Sequence, residues 1–212
     1  TRVRFARSSG SGCHYARANR HARERVLMVK EVLPPSFRLP AVKFIDPFEQ
    51  GDLDGLCGLY SVVNACRVVR ASNDPLTDRD LNALLHRCLN LTIRSPGYVD
   101  GFMSGIPWAR LKQLGRTAAS FVSTRSSRMT FQCLPISAAE RTLAQKRQLL
   151  SGRVPVIWID RDDHYSVVVG WTPTRAILFD SAGGHWVPID LVEKALCFSI
   201  GPAACAASFD LQ

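Results

Sequence analysis

Three short runs in the last third of the chain constrain its fold more than any other feature. VPVIWID (154–160), YSVVVGW (165–171) and AILFDS (176–181) are rich in β-branched and aromatic residues, and the turn-forming stretches DRDDH and TPTR separate them. Connections this short leave no room for the crossover that parallel neighbours need, so the strands are expected to run antiparallel. A short helix over DLVEKAL and a last strand near CFSI are expected to follow.

Ahead of these runs the apolar period is helical. Leu59, Val62, Val63, Cys66 and Val69 predict a helix over 58–70. Its β-branched residues are poor helix formers, so burial must hold it. Thr77 and Asp80 form a capping-box pattern for a second helix over 77–89, with Leu81, Leu84, Leu85, Cys88 and Leu89 on its apolar face. Pro107 suits the start of a short helix over WARLKQL, expected to stop near Gly115. Ser137 and Glu140 predict another capped helix running to about 150, with Gly152 as its stop. Helices first and an antiparallel sheet after make an α+β layered fold.

The net charge of +9 invites a nucleic-acid reading until it is located. Residues 1–27 hold seven Arg and one acid, a net +6, which leaves +3 for the other 185 residues. A charge block of that kind is usually a solvated tail, so nucleic acid is disfavoured as a partner. The segment also lacks apolar periodicity and the apolar stretch of a secretory signal. Residues 1–27 therefore read as a basic, disordered or non-native leader, with Met28 as the natural start and 28–212 as a single domain. No apolar run approaches the roughly 20 residues of a membrane helix, and a soluble chain is expected. The seven Cys include no CxxC pair and fit neither a zinc site nor a disulfide scaffold. Cys66, Cys88 and Cys197 fall in apolar segments and read as small buried hydrophobes, which suits a reducing cytoplasm. No metal ligand set or phosphate-binding glycine loop is present, and no cofactor is expected.

Cys57 differs from the other cysteines in its surroundings. It stands at the expected N-terminus of the 58–70 helix, after the loop Gln50-Gly-Asp-Leu-Asp-Gly-Leu. A thiol attacks only as thiolate, and a helix N-terminus together with an imidazolium favours that form. Gly58 is expected to leave room beside the sulfur for a substrate backbone. Gln50 supplies an amide upstream, of the kind that stabilises an oxyanion. His164, at the junction of DRDDH with the second strand, can carry a base to the sheet edge. Asp180 comes 16 residues later on the next strand, so antiparallel pairing would set it beside His164. Nucleophile, base and orienting acid make the logic of a triad. Taken singly, Cys57 is as readily a small residue at a helix start, His164 a surface loop residue and Asp180 a turn former. His185 is the nearest rival base, but it follows Gly-Gly and lacks a downstream acid on a paired strand.

Taken together, QGDLDGLCGLYSVVNACR, DHYSVVVGW and ILFDSAG resemble the papain-like cysteine peptidase superfamily, above all its compact bacterial branch of double-glycine, bacteriocin-processing peptidases. The resemblance covers about 45–200 in order of elements, although its specific motifs fill only some 35 residues. It implies a papain-like domain: an N-terminal helical part, with its central helix capped by the nucleophile, packed on a C-terminal, mostly antiparallel sheet. By this match Cys57, His164 and Asp180 are catalytic and Gln50 serves the oxyanion. The family Gln stands six residues before its Cys, against seven here. A one-residue bulge would absorb the difference, or Asp52, Asp54 or a backbone amide would take the place. The implied activity is that of a thiol peptidase or isopeptidase acting on a peptide or protein. A deamidase or transglutaminase-type acyltransferase uses the same triad, and a non-catalytic binding module is the reading from outside the enzymes.

Overall fold

The computed structural model describes residues 33–50, 55–94, 105–124, 127–134, 138–159, 163–194 and 196–203. A two-residue strand, β1 (Phe37–Arg38), and a 3-10 turn (Pro40–Lys43) lead into the first helix, α1 (Cys57–Arg70). Leu59, Val62, Val63, Ala65 and Cys66 are fully buried along it. That burial holds a helix whose valines would not sustain it alone.

Helix α2 (Asp78–Ile93) starts on the expected capping box. The Asp80 N–H donates to Thr77 Oγ1 at 3.2 Å and the Thr77 N–H donates back to Asp80 Oδ2 at 3.0 Å. It extends four residues past 89, and Thr92 stays within it by donating its hydroxyl to the Cys88 carbonyl at 2.8 Å. Helix α3 (Trp108–Phe121) begins directly after Pro107 but does not stop at Gly115. That glycine lies mid-helix against aromatic rings: a Cβ there would stand 2.7 Å from Phe131 and 3.2 Å from Phe198. Its small size serves close packing, not termination.

Strand β2 (Met129–Cys133) follows, then α4 (Ala138–Leu150), which Gly152 closes at φ +75°. The Ser137–Glu140 capping box lies outside the described side chains. The three strand-like runs form β3 (Val154–Ile159), β4 (His164–Trp171) and β5 (Arg175–Phe179). Asp180 is therefore the first residue beyond its strand, not a member of it. The chain ends, as described, with β6 (Trp186–Pro188), α5 (Ile189–Lys194) and β7 (Leu196–Pro202).

The sheet runs β2-β7-β3-β4-β5-β6, with every neighbouring pair antiparallel, and β1 joins β4 off this path. β1 lands where a bulge interrupts the β4–β5 register between Val168 and Gly170. A Cβ on Gly170 would sit 2.4 Å from the Phe37 carbonyl oxygen, so only glycine admits that crossing. One face of the sheet packs on α1 and α3, with α2 set against those two helices, through a core that includes Leu59, Val63, Leu111, Val167 and Phe198. The other packs on α4 and α5 through Leu149, Ile157, Trp171 and Val192. The architecture is α+β, with helices first and an antiparallel sheet after. No helix among the described residues is long and apolar enough to cross a membrane.

Candidate active site

Cys57 is the first residue of α1, and no side chain caps that end. The N–H groups of Leu59 and Tyr60 both turn to the Leu56 carbonyl, at 2.8 and 3.1 Å. The first amides and the positive end of a helix favour negative charge, and Cys57 stands at that end. Gly58 does not border open space as expected. A Cβ on it would meet Leu111 and Tyr165, each at 3.1 Å, so it seats α1 against α3 and β4. One turn on, the Ser61 hydroxyl donates to the Tyr165 carbonyl at 2.8 Å, from a fully enclosed position.

Tyr165 follows His164, the first residue of β4. Asp163 makes the turn into that strand at φ +45°, a left-handed conformation that Asp tolerates. Its carboxylate accepts from the Trp158 indole N–H at 3.2 Å, which secures the turn. The His164 ring is thereby held at the start of an interior strand with about a fifth (22%) of its side chain exposed. Val167 pairs with Phe179, so Asp180, one residue past Phe179, lies across from the start of β4. His164 Nε2 and Asp180 Oδ2 are 2.8 Å apart. A second side-chain hydrogen bond joins the ring to Cys57. With Nε2 given to Asp180, that bond falls to Nδ1.

The electrostatics follow from these contacts. The bonds to Asp180 and then Cys57, with the charges of both, outweigh desolvation and raise the His164 pKa from 6.5 to about 10. Burial pushes the Asp180 carboxyl up, but the hydrogen bond from His164, the adjacent Ser166 hydroxyl, the imidazolium charge and the Ala182 N–H together hold it below the usual carboxylate range. The Ala182 N–H donates to Oδ1 at 2.8 Å and the Gly184 N–H at 3.4 Å. Ser166 favours the charge by proximity, without an aligned bond of its own. Burial, with Cys57 and Asp163 nearby, pushes the Tyr165 phenol up to about 12.

Gln50 stands on the acid's side of this group. Its N–H donates to the Ser181 carbonyl at 3.1 Å, and the Ser181 hydroxyl donates to Gln50 Oε1 at 3.4 Å. Residues 51–54, including Asp52 and Asp54, lie outside the described residues. Two residues before Gln50, the Phe48 N–H donates to Asn64 Oδ1 at 2.6 Å, and Asn64 Nδ2 donates to the Phe48 carbonyl at 3.1 Å. Asn64 is fully buried on α1. His185 is exposed and lines a cavity of about 510 Å³ with Asp46, Gln50, Asp180 and Ser181.

The structure thus brings Cys57, His164 and Asp180 into one hydrogen-bonded line and sets Gln50 against the residue after Asp180. Ser61, Asn64 and Ser181 take part without having been singled out by sequence. A signal existed for Asn64: it is an amide inside the apolar run VVNAC, seven residues after Cys57. A polar side chain on a buried stripe needs a partner, and nothing local supplies one. Among the described residues, no group of three or more His, Cys, Asp or Glu is arranged to hold a metal.

Among solved structures, the chain is similar to a double-glycine motif protease from an AMS/PCAT transporter, crystallised with the leader peptide. The two share 13% identity over 75% of this chain and 90% of that one, with a TM-score of 0.44. It is also similar to a cysteine protease of Carica candamarcensis, at 13% identity over 81% of this chain and 99% of that one, with a TM-score of 0.48. No family model matches the chain, and no curated protein does.

Proposed function

We propose that the chain is a papain-like cysteine hydrolase that cleaves an amide bond in a peptide or protein substrate. The observation that carries this reading is the line Cys57–His164–Asp180, in which one imidazole bonds the thiol on one side and a buried carboxylate on the other. A merely structural histidine has no need of a cysteine at an uncapped helix N-terminus as its second partner.

In the proposed cycle the Cys57 thiolate, paired with the His164 imidazolium, attacks the substrate carbonyl carbon. The carbonyl π electrons move to oxygen, where the Cys57 N–H and the Gln50 amide stabilise the negative charge. Collapse of this intermediate expels the amine, which takes the proton from His164, and leaves a thioester on Cys57. His164 then removes a proton from water. The hydroxide attacks the thioester, the acid leaves and the thiolate is restored. Asp180 holds the ring in the orientation that keeps Nδ1 toward sulfur throughout.

The test pairs a thiol-directed probe with product masses. The wild-type protein is expected to label at Cys57 and to release peptide fragments whose summed mass exceeds the substrate by one water. Deamidation would instead leave one chain about one dalton heavier, and acyl transfer would join two chains. Cys57→Ala is expected to lose both labelling and turnover; turnover that persists in it would overturn the proposal.

A further inference from the structure

We infer that Asn64 is a positioning residue for the oxyanion site, holding the Gln50 segment at a fixed offset from the Cys57 sulfur. The inference rests on the role proposed for Gln50 above.

Asn64 lies seven residues after Cys57 on one rigid helix. That spacing is close to two turns, so the two side chains share a face about 10 Å apart along the axis. Its amide oxygen and its NH2 group each bond the same residue of the loop, Phe48. The paired contact fixes the direction of the backbone as well as its distance, as a β-bridge would. The next residues lead directly to Gln50, whose own N–H is held by the Ser181 carbonyl at 3.1 Å. Phe48 adds a ring contact to Tyr60 on α1, with centroids 5.9 Å apart. Gln50 is therefore referred to the nucleophile's helix through Asn64 and to the acid's loop through Ser181.

An oxyanion donor has to stand about 2.7–3.1 Å from the developing charge. A displacement near 1 Å costs about a hundredfold in rate. A glycine-bearing loop does not hold that tolerance by itself, and a reference shared with the sulfur does. Asparagine is otherwise a poor choice for this position. It is a weaker helix former than leucine, and a buried amide is costly unless bonded. Apart from Gly58, Ser61 and Arg70, the other buried residues of α1 are Leu, Val, Ala and Cys, so an apolar residue at 64 would serve the core better.

The test compares two reagents on the full chain. Acylation by 4-nitrophenyl acetate passes through a tetrahedral oxyanion; alkylation by iodoacetamide is a direct displacement and does not. Both start from the same thiolate, so their rate ratio isolates the oxyanion site. Asn64→Leu is expected to slow acylation by about tenfold to a hundredfold and to leave alkylation unchanged. In a Gln50→Ala background the same substitution is expected to add nothing further. Equal loss of both rates, or additive effects in the double variant, would overturn the inference by reducing Asn64 to a structural part. If Gln50→Ala slows acylation and Asn64→Leu does not, this inference alone fails. If Gln50→Ala leaves acylation unchanged, the role of Gln50 falls and takes the inference with it. Asn64→Asp gives an independent reading within one folded sample. Its protonated carboxyl can still donate to the Phe48 carbonyl, so the ratio is expected to match wild type at acid pH and to fall as the carboxyl ionises. A ratio flat with pH in that variant would also overturn the inference.

Discussion

The Ser61 hydroxyl donates to the Tyr165 carbonyl over 2.8 Å, tying the nucleophile's helix, one turn past Cys57, to the residue next to the base. Ser61 lies four residues after Cys57, on the same face of α1. The bond therefore fixes the separation on which the thiol–imidazole contact depends. Ser61→Ala is expected to lower stability by about 1–2 kcal/mol and to slow alkylation of Cys57 by iodoacetamide. Urea melts and labelling rates check this together; wild-type values in both would show the bond to be incidental.

The raised His164 pKa and the lowered Asp180 pKa set a pH window for the pair. His164 holds its proton more tightly when folded, so its contribution to stability is complete below 6.5 and is lost as pH rises toward about 10. Asp180 behaves in the opposite sense: its contribution is complete above its ordinary 3.8 and is lost as pH falls through the lowered value. An NMR titration of the imidazole is expected to find His164 still protonated at pH 8, and Asp180→Asn should bring its titration back down. A wild-type ring that titrates near 6.5 would contradict the geometry.

Much of this arrangement was legible in the sequence. β-rich runs with short turns fix antiparallel neighbours, and antiparallel neighbours put the start of one strand beside the end of the next. That alone brings His164 to Asp180. Thr77 and Asp80 wrote the start of α2 in a local code that the fold did not override. Features set by contact across the chain were hidden. β2 carries only five residues, MTFQC; they alternate apolar and polar, but so short a run does not announce a strand by itself, and it is completed by pairing with β7. Glycine is ambiguous in the same way: Gly152 closes a helix while Gly115 lies inside one, and only the rings of Phe131 and Phe198 tell them apart. Asn64 could be flagged as anomalous, but its partner, Phe48, is 16 residues away in a loop without a pattern.

Gly115→Ala sets two effects against each other. Alanine in a helix interior favours the helix by about 1 kcal/mol over glycine. Its Cβ would stand 2.7 and 2.8 Å from Phe131 atoms, and that ring is already wedged against Phe198 with centroids 4.9 Å apart. Overpacking of this kind costs about 1–3 kcal/mol, so a net loss of stability is expected. A urea midpoint above wild type would mean that the Phe131 ring moves aside freely and that the crowding argument is mistaken.

Arg153 carries a positive charge into the sheet, and its acceptors among the described residues are neutral. Its guanidinium donates to Gln148 Oε1 at 2.7 Å, Thr130 Oγ1 at 2.8 Å, the Pro202 carbonyl at 2.6 Å and the Thr130 carbonyl at 3.0 Å, with longer bonds to Ser199 and Gly201. The group therefore stitches β2 and β7 to the entrance of β3 and to the end of α4. The shape of the fork matters more here than the charge. An ammonium has three donors on one atom and cannot reach acceptors spread around a plane. Arg153→Lys keeps the buried charge and abandons most of the bonds, so it is expected to destabilise by about 2 kcal/mol or more, with no rescue from charge conservation. Because the clasp joins β2 and β7, away from the His164 end of β4, the folded fraction of the variant should alkylate at Cys57 at the wild-type rate. Equal urea midpoints for Arg153→Lys and wild type would mean that the charge, and not the fork, holds this corner of the sheet.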